Sequence, residues 1–493
     1  MKRRGFVSGL IAFFTLSLTI TAGTQTSSSA QEALPKGQVI DKVTCVKNPE
    51  QSYALYLPSN YDRARKWPVI YAFDPGARGK MPVSQFKDAA EKFGWIVVGS
   101  NNSRNGSAQS PVDAWNAITV DVAERFSIDG RRAYATGFSG GARIALFFAA
   151  RCNDCLAGVI ASGAGFPNSI SPDASMHFSI FAAAAYDDFN FSEVRSLEEP
   201  LTKAKIAHRV ETFDGRHEWL PSAVAIEAVE WMEIQAMKSG RRARDDEFIK
   251  TAWQNGLQKA RAFDAAKKPY EAFQAYRSLV ETYSGLHNVN EAEQKLNEYK
   301  ASREVKEAIR DEQQQFNKQR DLEKQFWSLV AERDRNNREE SRDSFAQNNS
   351  QDSRDSGLDA SVRLSGLLSN LRKDSEGTDD TGKRRIARRV LSGLFVALFE
   401  RGTDLLEARK LYAEAIKTFR LVTEVNPERA GGYYYLAWAY AANGDKKRAL
   451  ENLRTAVNKG FSDSAAINDN KAFGAIAADP QYQSILQAIR DKR

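Results

Sequence analysis

The chain has 493 residues, of which 42% are hydrophobic and 27% are charged. At roughly 150 residues per domain, this length predicts two or three domains. The composition is that of a globular protein, neither disulfide-rich nor disordered throughout. The net charge of +7 arises from 70 Lys and Arg residues interspersed with 63 Asp and Glu residues. Nucleic-acid-binding proteins concentrate basic residues on one face, so this balance argues against a nucleic-acid partner.

The first thirty residues have the organisation of a secretory signal peptide. A basic cluster of Lys2, Arg3 and Arg4 precedes an apolar run over residues 5–22, and small residues lead up to Ala30. We expect cleavage after Ala30, export to the periplasm or the extracellular space, and no membrane association after cleavage. An uncleaved anchor is the alternative, because the apolar run approaches the ~20 residues that span a bilayer.

The chain has three cysteines: Cys45, Cys152 and Cys155. In an oxidising compartment this odd number leaves one free thiol or one bridge between chains. The spacing Cys152-x-x-Cys155 lacks the surroundings of a thioredoxin-like motif and the two further ligands of a zinc site. We expect a structural disulfide or no bond for this pair, and no metal site.

Residues 40–238 alternate short β-branched runs with helical patterns, which predicts an α/β domain with a mostly parallel sheet. Several runs are continuously apolar, as strands covered on both faces are. The predicted strands are Tyr53–Leu57, Pro68–Phe73, Trp95–Gly99, Ala133–Gly137, Ala157–Ala161, Ser179–Ala185 and Arg209–Phe213. The predicted helices are Val83–Phe93, Pro111–Phe126, Gly141–Arg151 and Ser222–Met237.

After Lys238 the patterns are helical only. Residues 243–300 are rich in good helix formers and predict a helical, repeat-like region. Residues 301–383 predict a charged segment, either a solvated helix or a linker, whose part from 341 is too polar to build a core. We therefore expect disorder over residues 341–383.

Residues 390–493 contain an internal repeat. Three residues recur 34 positions later, so that Ala415, Phe419 and Val422 correspond to Ala449, Leu453 and Ala456. This is the period of the tetratricopeptide unit, a pair of packed helices. The region resembles tetratricopeptide repeats, which implies an all-α region that binds a protein partner. A capping helix is expected from Asp479 onward.

The clearest chemical motif is Gly137-Phe138-Ser139-Gly140-Gly141. It lies between a predicted strand and a predicted helix, which is the context of a nucleophile elbow. The glycines leave room for a strained turn that exposes the Ser139 hydroxyl above the sheet. This arrangement predicts Ser139 as a catalytic nucleophile.

A serine nucleophile needs a base, and the chain has four histidines. His217 lies in a loop directly after the last predicted strand, where the base of a Ser, acid, His chain order belongs. The acid should then follow the strand Ser179–Ala185. We choose Asp188 as the acid, and Asp187 remains the alternative.

The reaction also needs two backbone donors for the oxyanion. The Gly140 N–H, directly after the nucleophile, is the first. The second should come from the loop after the strand that ends at Phe73. Because Pro75 has no N–H, the candidates are Gly76 and Ala77.

Residues 40–238 resemble the α/β-hydrolase superfamily, and within it compact secreted esterases of the polyhydroxybutyrate depolymerase and feruloyl esterase type. The resemblance rests on Phe126-Ser127-Ile128-Asp129 with Arg132, on the elbow, and on Asp188-Phe189-Asn190. It implies an eight-stranded type of sheet, hydrolysis of a small-molecule or polymer ester through an acyl-enzyme, and no cofactor. Short connections leave little room for a lid, so we expect an open site.

Loop residues at the carboxyl ends of the strands should line the site. Asn102 and Arg104 could bind a polar or acidic group of the substrate, and Trp219 could form a wall. Turn formation or core packing is the alternative for each. For the whole chain, the alternatives are a non-catalytic interaction scaffold with a vestigial hydrolase fold, or a serine peptidase.

Overall fold

Eight strands form the sheet that carries the first part of the chain. The computed structural model describes residues 34–152, 154–346, 351–377 and 381–490, so the expected signal peptide over residues 1–30 lies outside the described residues. The strands are β1 (Val39–Thr44), β2 (Ser52–Tyr56), β3 (Trp67–Phe73), β4 (Ile96–Ser100), β5 (Ile128–Phe138), β6 (Gly158–Ser162), β7 (Ser179–Ala185) and β8 (His208–Phe213).

The strand order is β1-β2-β4-β3-β5-β6-β7-β8. The pairs β1–β2 and β2–β4 are antiparallel, and the pairs from β4 to β8 are parallel. Every residue of β3, β4 and β6 is buried, as expected for parallel strands that are covered on both faces. The predicted α/β class with a mostly parallel sheet is confirmed.

Six helices accompany the sheet: α1 (Lys80–Phe93), α2 (Gln109–Arg125), α3 (Gly140–Arg151), α4 (Phe191–Arg195), α5 (Glu198–Lys203) and α6 (Ser222–Lys238). The sequence patterns did not predict β1, because this edge strand has the mixed sequence VIDKVT and only Val43 of it is buried. Its Lys and Asp residues are typical of exposed sheet edges.

The rest of the chain is helical, as predicted. The helices are α7 (Asp246–Ala265), α8 (Pro269–Tyr283), α9 (Asn290–Ala301), α10 (Arg303–Ala346), α11 (Gln351–Ser375), α12 (Gly382–Thr403), α13 (Tyr412–Val425), α14 (Ala430–Ala442), α15 (Lys446–Asn458), α16 (Ser464–Asn468) and α17 (Pro480–Arg490). A π-helical turn at Asp404–Ala408 precedes α13, and a 3₁₀-helix at Lys471–Ile476 precedes α17.

The expected disorder over residues 341–383 is wrong for α11. Leu364, Leu368 and Leu371 of this helix are buried in a core that includes residues of α10 and α12. Their spacing places them on one face, so the helix buries a narrow apolar stripe despite its polar composition. The charged segment before it is also helical, since α10 runs from Arg303 to Ala346.

The same core continues through the repeats to α17. The six residues that predicted the 34-residue period are all buried: Ala415, Phe419, Val422, Ala449, Leu453 and Ala456. From Lys36 onward the chain forms one compact unit. The boundary that the sequence predicts near residue 390 is therefore not a boundary between separate cores.

Cys152 and Cys155 form a disulfide, and Cys45 is a free, buried thiol. Burial raises the pKa of the Cys45 thiol to about 11, with a smaller contribution from the nearby Asp121 carboxylate.

Within the described part of the chain, no helix is long and apolar enough to cross a membrane. No group of His, Cys, Asp or Glu side chains in that part could hold a metal ion.

Candidate active site

Ser139 occupies a sharp turn between β5 and α3. Its backbone has φ 53° and ψ −120°, a conformation that costs a non-glycine residue energy and is typical of nucleophile elbows. The turn brings backbones into close contact, because a Cβ on Gly141 would lie 1.9 Å from the Phe73 carbonyl oxygen. A Cβ on Gly137 would lie 2.1 Å from the Gly141 carbonyl oxygen. Both glycines are therefore required for the turn.

Ser139, His217 and Asp188 form one chain of hydrogen bonds. His217 Nε2 lies 2.9 Å from Ser139 Oγ, and His217 Nδ1 lies 2.8 Å from Asp188 Oδ1. With the proton on Nδ1, the imidazole donates to the Asp188 carboxylate, and the serine hydroxyl donates to Nε2. The sequence predicted these three residues from elements that are up to 78 positions apart.

The loop after β7 holds Asp188 in place. Asp188 is fully buried, and its Oδ1 accepts a 2.8 Å hydrogen bond from the Asn190 N–H. The Asn190 side chain donates to the Gly163 carbonyl oxygen at 2.8 Å, which ties this loop to the end of β6. The neighbouring Asp187 points elsewhere, because its Oδ2 forms a 2.8 Å ion pair with Arg388 of α12.

Two aromatic rings enclose the imidazole of His217. The ring centroids of Phe138 and Phe189 lie 4.5 Å and 4.1 Å from that of His217. Phe138 belongs to the elbow and Phe189 follows Asp188, so the elbow and the acid loop each provide one ring. Packing of this kind restricts rotation of the imidazole and keeps it aligned with both hydrogen-bond partners.

The candidate oxyanion donors differ in their present partners. Gly140 is the first residue of α3, where backbone N–H groups have no acceptor within the helix. The Gly76 N–H donates to Asp74 Oδ1 at 2.8 Å, and the Ala77 N–H donates to the Asp74 carbonyl oxygen at 3.1 Å. Gly76 or Ala77 could therefore meet an oxyanion only after exchanging an existing hydrogen bond.

Asp74 organises the loop after β3. This fully buried carboxylate accepts hydrogen bonds from Arg78 and from the Trp219 indole. Burial alone would raise the pKa of Asp74, but hydrogen bonds from Arg78, Trp219 and the Gly76 N–H outweigh burial and lower the pKa. Asp74 is therefore a charged group that joins the loop after β3 to Trp219.

The three tentative substrate-binding residues have different environments. Asn102 is engaged with the β1–β2 connection, where its side chain accepts from the Ser52 N–H and donates to the Glu50 carbonyl oxygen, both at 2.9 Å. Trp219 is 5% exposed and donates to Asp74. These contacts agree with the alternative reading of turn formation and core packing for both residues. Arg104 is exposed, and its backbone pairs with Gly76.

The sequence reasoning missed Asn105. A Cβ on Gly140 would lie 2.0 Å from Asn105 Oδ1, so this carboxamide packs directly against the elbow. The Asn105 N–H donates to the Pro75 carbonyl oxygen at 2.9 Å, which joins the loop after β4 to the loop after β3. The polar run from Asn101 to Arg104 indicated this loop, but it stopped one residue short of the side chain that faces Gly140.

Comparisons with known proteins agree with this architecture. Residues 101–229 match the dienelactone hydrolase family, and residues 432–464 match the tetratricopeptide repeat. The comparison with curated proteins finds no significant match. Among solved structures, an S-formylglutathione hydrolase from Staphylococcus aureus is 14% identical, with 40% of this chain and 98% of that chain covered and a TM-score of 0.33.

Two further structures match over a similar part of the chain. A ferulic acid esterase is 15% identical, covering 40% of this chain and 97% of that chain with a TM-score of 0.34. The feruloyl esterase module from Clostridium thermocellum is 16% identical. The match covers 39% of this chain and 85% of that chain, with a TM-score of 0.31. The two family matches alone agree with the fold described above, a mostly parallel α/β domain of the α/β-hydrolase type followed by helices with a tetratricopeptide repeat, as the sequence predicted. The dienelactone hydrolase match supports a hydrolase.

Proposed function

We propose that this protein is an exported serine hydrolase that cleaves carboxylic esters through an acyl-enzyme. The observation that supports the proposal is the hydrogen-bonded chain from Ser139 through His217 to Asp188, with distances of 2.9 Å and 2.8 Å. A serine becomes a useful nucleophile when an adjacent base accepts its proton. The match to the dienelactone hydrolase family gives independent support for hydrolysis.

In the proposed mechanism Ser139 Oγ attacks the ester carbonyl carbon while His217 Nε2 takes the hydroxyl proton. Asp188 keeps the other imidazole proton on Nδ1 and stabilises the imidazolium that forms. His217 then donates the proton to the departing alkoxide, which leaves as an alcohol. A water molecule, activated by the same imidazole, attacks the acyl group and releases the carboxylic acid and the free Ser139 hydroxyl.

The Gly140 N–H is the first donor to the oxyanion, because it follows the nucleophile at the start of α3. The Gly76 N–H is the proposed second donor. In that role it exchanges its hydrogen bond with Asp74 for one with the substrate. The preference for an ester over a peptide bond comes from the resemblance to small secreted esterases.

The decisive experiment is labelling of the purified protein with a fluorophosphonate probe, combined with hydrolysis of an activated short-chain ester. We expect both in the wild type and neither in Ser139→Ala or His217→Ala, whereas the matched variant His177→Ala, at an exposed position in the loop before β7, retains both. A folded wild type that neither labels nor hydrolyses the ester would contradict the proposal.

Export and partner binding complete the proposal. The basic and apolar segments before Ala30 support export, and we expect the secreted form to begin at Gln31, which mass spectrometry of the protein from its producing cells would check. The tetratricopeptide match over residues 432–464 supports a protein partner. Affinity capture with the Ser139→Ala variant of the full chain should identify a saturable partner, and repeated failure would count against this role.

A further inference from the structure

The loop that carries the proposed catalytic acid is held by the helical region as well as by the sheet. The loop comprises residues 186–189, which follow β7 and include Asp188. Helix α12 contacts this loop at both ends, and α10 contacts it at its end. The two helices lie more than 100 residues further along the chain than the loop that they contact.

Two adjacent arginines of α12 bind the beginning of the loop. Arg388 Nη1 forms a 2.8 Å ion pair with Asp187 Oδ2, and these side chains are only 24% and 11% exposed. Arg388 Nε also donates to the Ser375 carbonyl oxygen at 2.9 Å, which fixes the guanidinium from the other side. Arg389 is 1% exposed and donates through Nε to the Tyr186 carbonyl oxygen at 2.6 Å.

The end of the loop is held by different contacts. Gln319 of α10 is buried and donates through Nε2 to the Phe189 carbonyl oxygen at 3.2 Å. A Cβ on Gly393 of α12 would lie 3.2 Å from Phe189 Cβ, so the helix backbone approaches this residue closely. The Phe189 ring packs against His217. A single side chain, that of Phe189, therefore links α12 to the proposed catalytic base.

We propose that Arg388 is a positioning residue, which aligns Asp188 and His217 for catalysis by anchoring Asp187 to α12. The inference rests on the proposed function, since it assigns the helical region a part in the same reaction. A partly buried, well-paired ion pair next to the acid fixes the loop more firmly than an exposed pair would. Misplacement of a catalytic group by about 1 Å can cost a hundredfold in rate, so a modest displacement of this loop has a large effect.

The test is a charge exchange across the ion pair. We expect Arg388→Asp to lower kcat by about 10- to 100-fold with little change in KM, because Arg388 contacts the acid loop through Asp187 and acts only on the geometry of the catalytic groups. Asp187→Arg should do the same. The double variant, Asp187→Arg with Arg388→Asp, should recover most of kcat. The control Arg401→Glu, at an exposed position of the same helix, should keep wild-type kinetics.

A second measurement separates this inference from the proposed function. Hydrogen exchange of the peptide that contains residues 186–189 should become faster in Arg388→Asp and return towards the wild-type rate in the double variant. Unchanged exchange, or a double variant no better than either single variant in kcat, would overturn the inference. A wild type that is inert towards ester and probe would instead overturn the proposed function, and a fast loop in Arg388→Asp would then still establish the anchoring of the loop.

Discussion

The indole N–H of Trp219 donates a 2.8 Å hydrogen bond to Asp74 Oδ2. The two residues are 145 positions apart, and the bond joins the loop after β8, which carries His217, to the loop after β3, which carries Gly76. Both side chains are buried. The base and the proposed second oxyanion donor are therefore held in a fixed relation through one polar contact.

Trp219→Phe should affect stability more than substrate binding. The variant removes the indole donor from Asp74 Oδ2, which then keeps only its hydrogen bond from Arg78. Loss of a hydrogen bond to a buried charged group costs about 1–3 kcal/mol in the free energy of unfolding. KM should stay close to the wild-type value, because the Trp219 side chain is buried and bonded to Asp74. Urea unfolding and steady-state kinetics would check both statements, and a raised KM with unchanged stability would contradict them.

The two adjacent carboxylates should respond differently to loss of charge. Asp188→Asn should lower kcat by about 10⁴-fold, since an amide cannot hold the required imidazole tautomer. Asp187→Asn keeps the shape of its residue and only weakens the ion pair with Arg388, so we expect a loss of at most about a hundredfold. Ester kinetics of the two variants, each checked for folding by circular dichroism, would decide. Equal losses would contradict the assignment of Asp188 as the acid.

Gly141→Ala should be severely destabilising. The added methyl would lie 1.9 Å from the Phe73 carbonyl oxygen, and relief of such overlap requires backbone shifts that cost about 1–3 kcal/mol or more. The matched control is Gly431→Ala in α14, where an added Cβ has no neighbour within 4 Å and should stabilise the helix by roughly 0.5–1 kcal/mol. Thermal unfolding of both variants would measure the difference. A Gly141→Ala protein as stable as the wild type would contradict the packing of the elbow.

The thiols should become accessible in three stages. The native protein should not react with a thiol reagent at neutral pH, because Cys45 is buried and its pKa is raised to about 11. Denaturation without reductant should expose one thiol, and denaturation with reductant should expose all three. Cys45→Ala should remove the thiol that appears in the second stage. Three reactive thiols without reductant would show that Cys152 and Cys155 are not bonded.

Asp74 should contribute to acid sensitivity. Its pKa is lowered in the folded protein, so the folded state binds this proton less readily than the unfolded state does. The resulting stabilisation is complete above the unfolded pKa of about 4 and is lost as the pH falls through the lower folded pKa. Below about pH 4, the free energy of unfolding should therefore decrease less steeply with falling pH in Asp74→Asn than in the wild type. An unchanged slope would contradict the role of Asp74.

The sequence was sufficient for the parts of the site that local pattern determines. The elbow at Ser139 needs glycines between a strand and a helix, and His217 follows a strand, so local pattern and chain order predicted both. Strand ends narrowed the acid to Asp187 or Asp188, and the resemblance of Asp188-Phe189-Asn190 to hydrolase turns favoured Asp188. The period of 34 residues predicted the repeat helices, because residues such as Ala415 and Ala449 recur at buried positions.

The parts that the sequence did not predict depend on contacts between distant segments. The sequence of α11 predicted disorder because the helix has only a narrow apolar stripe among many polar residues. Asn102 looked like a substrate-binding residue because nothing local reveals its bonds to Glu50 and Ser52. The pairing of Asp187 with Arg388 joins residues 201 positions apart, and no periodicity in either segment indicates it.

Phe191, two residues past Phe189, is 3% exposed, and residues of α10 and α12 pack against it. The Arg389 guanidinium lies 4.0 Å from the centre of its ring, and Phe316 packs edge-on at 5.9 Å. A shortened chain that ended at Lys238 would retain every residue of the dienelactone hydrolase match and yet expose this ring. The hydrolase part of the chain therefore borrows some of its core from the helices that follow, and it is not a self-sufficient module.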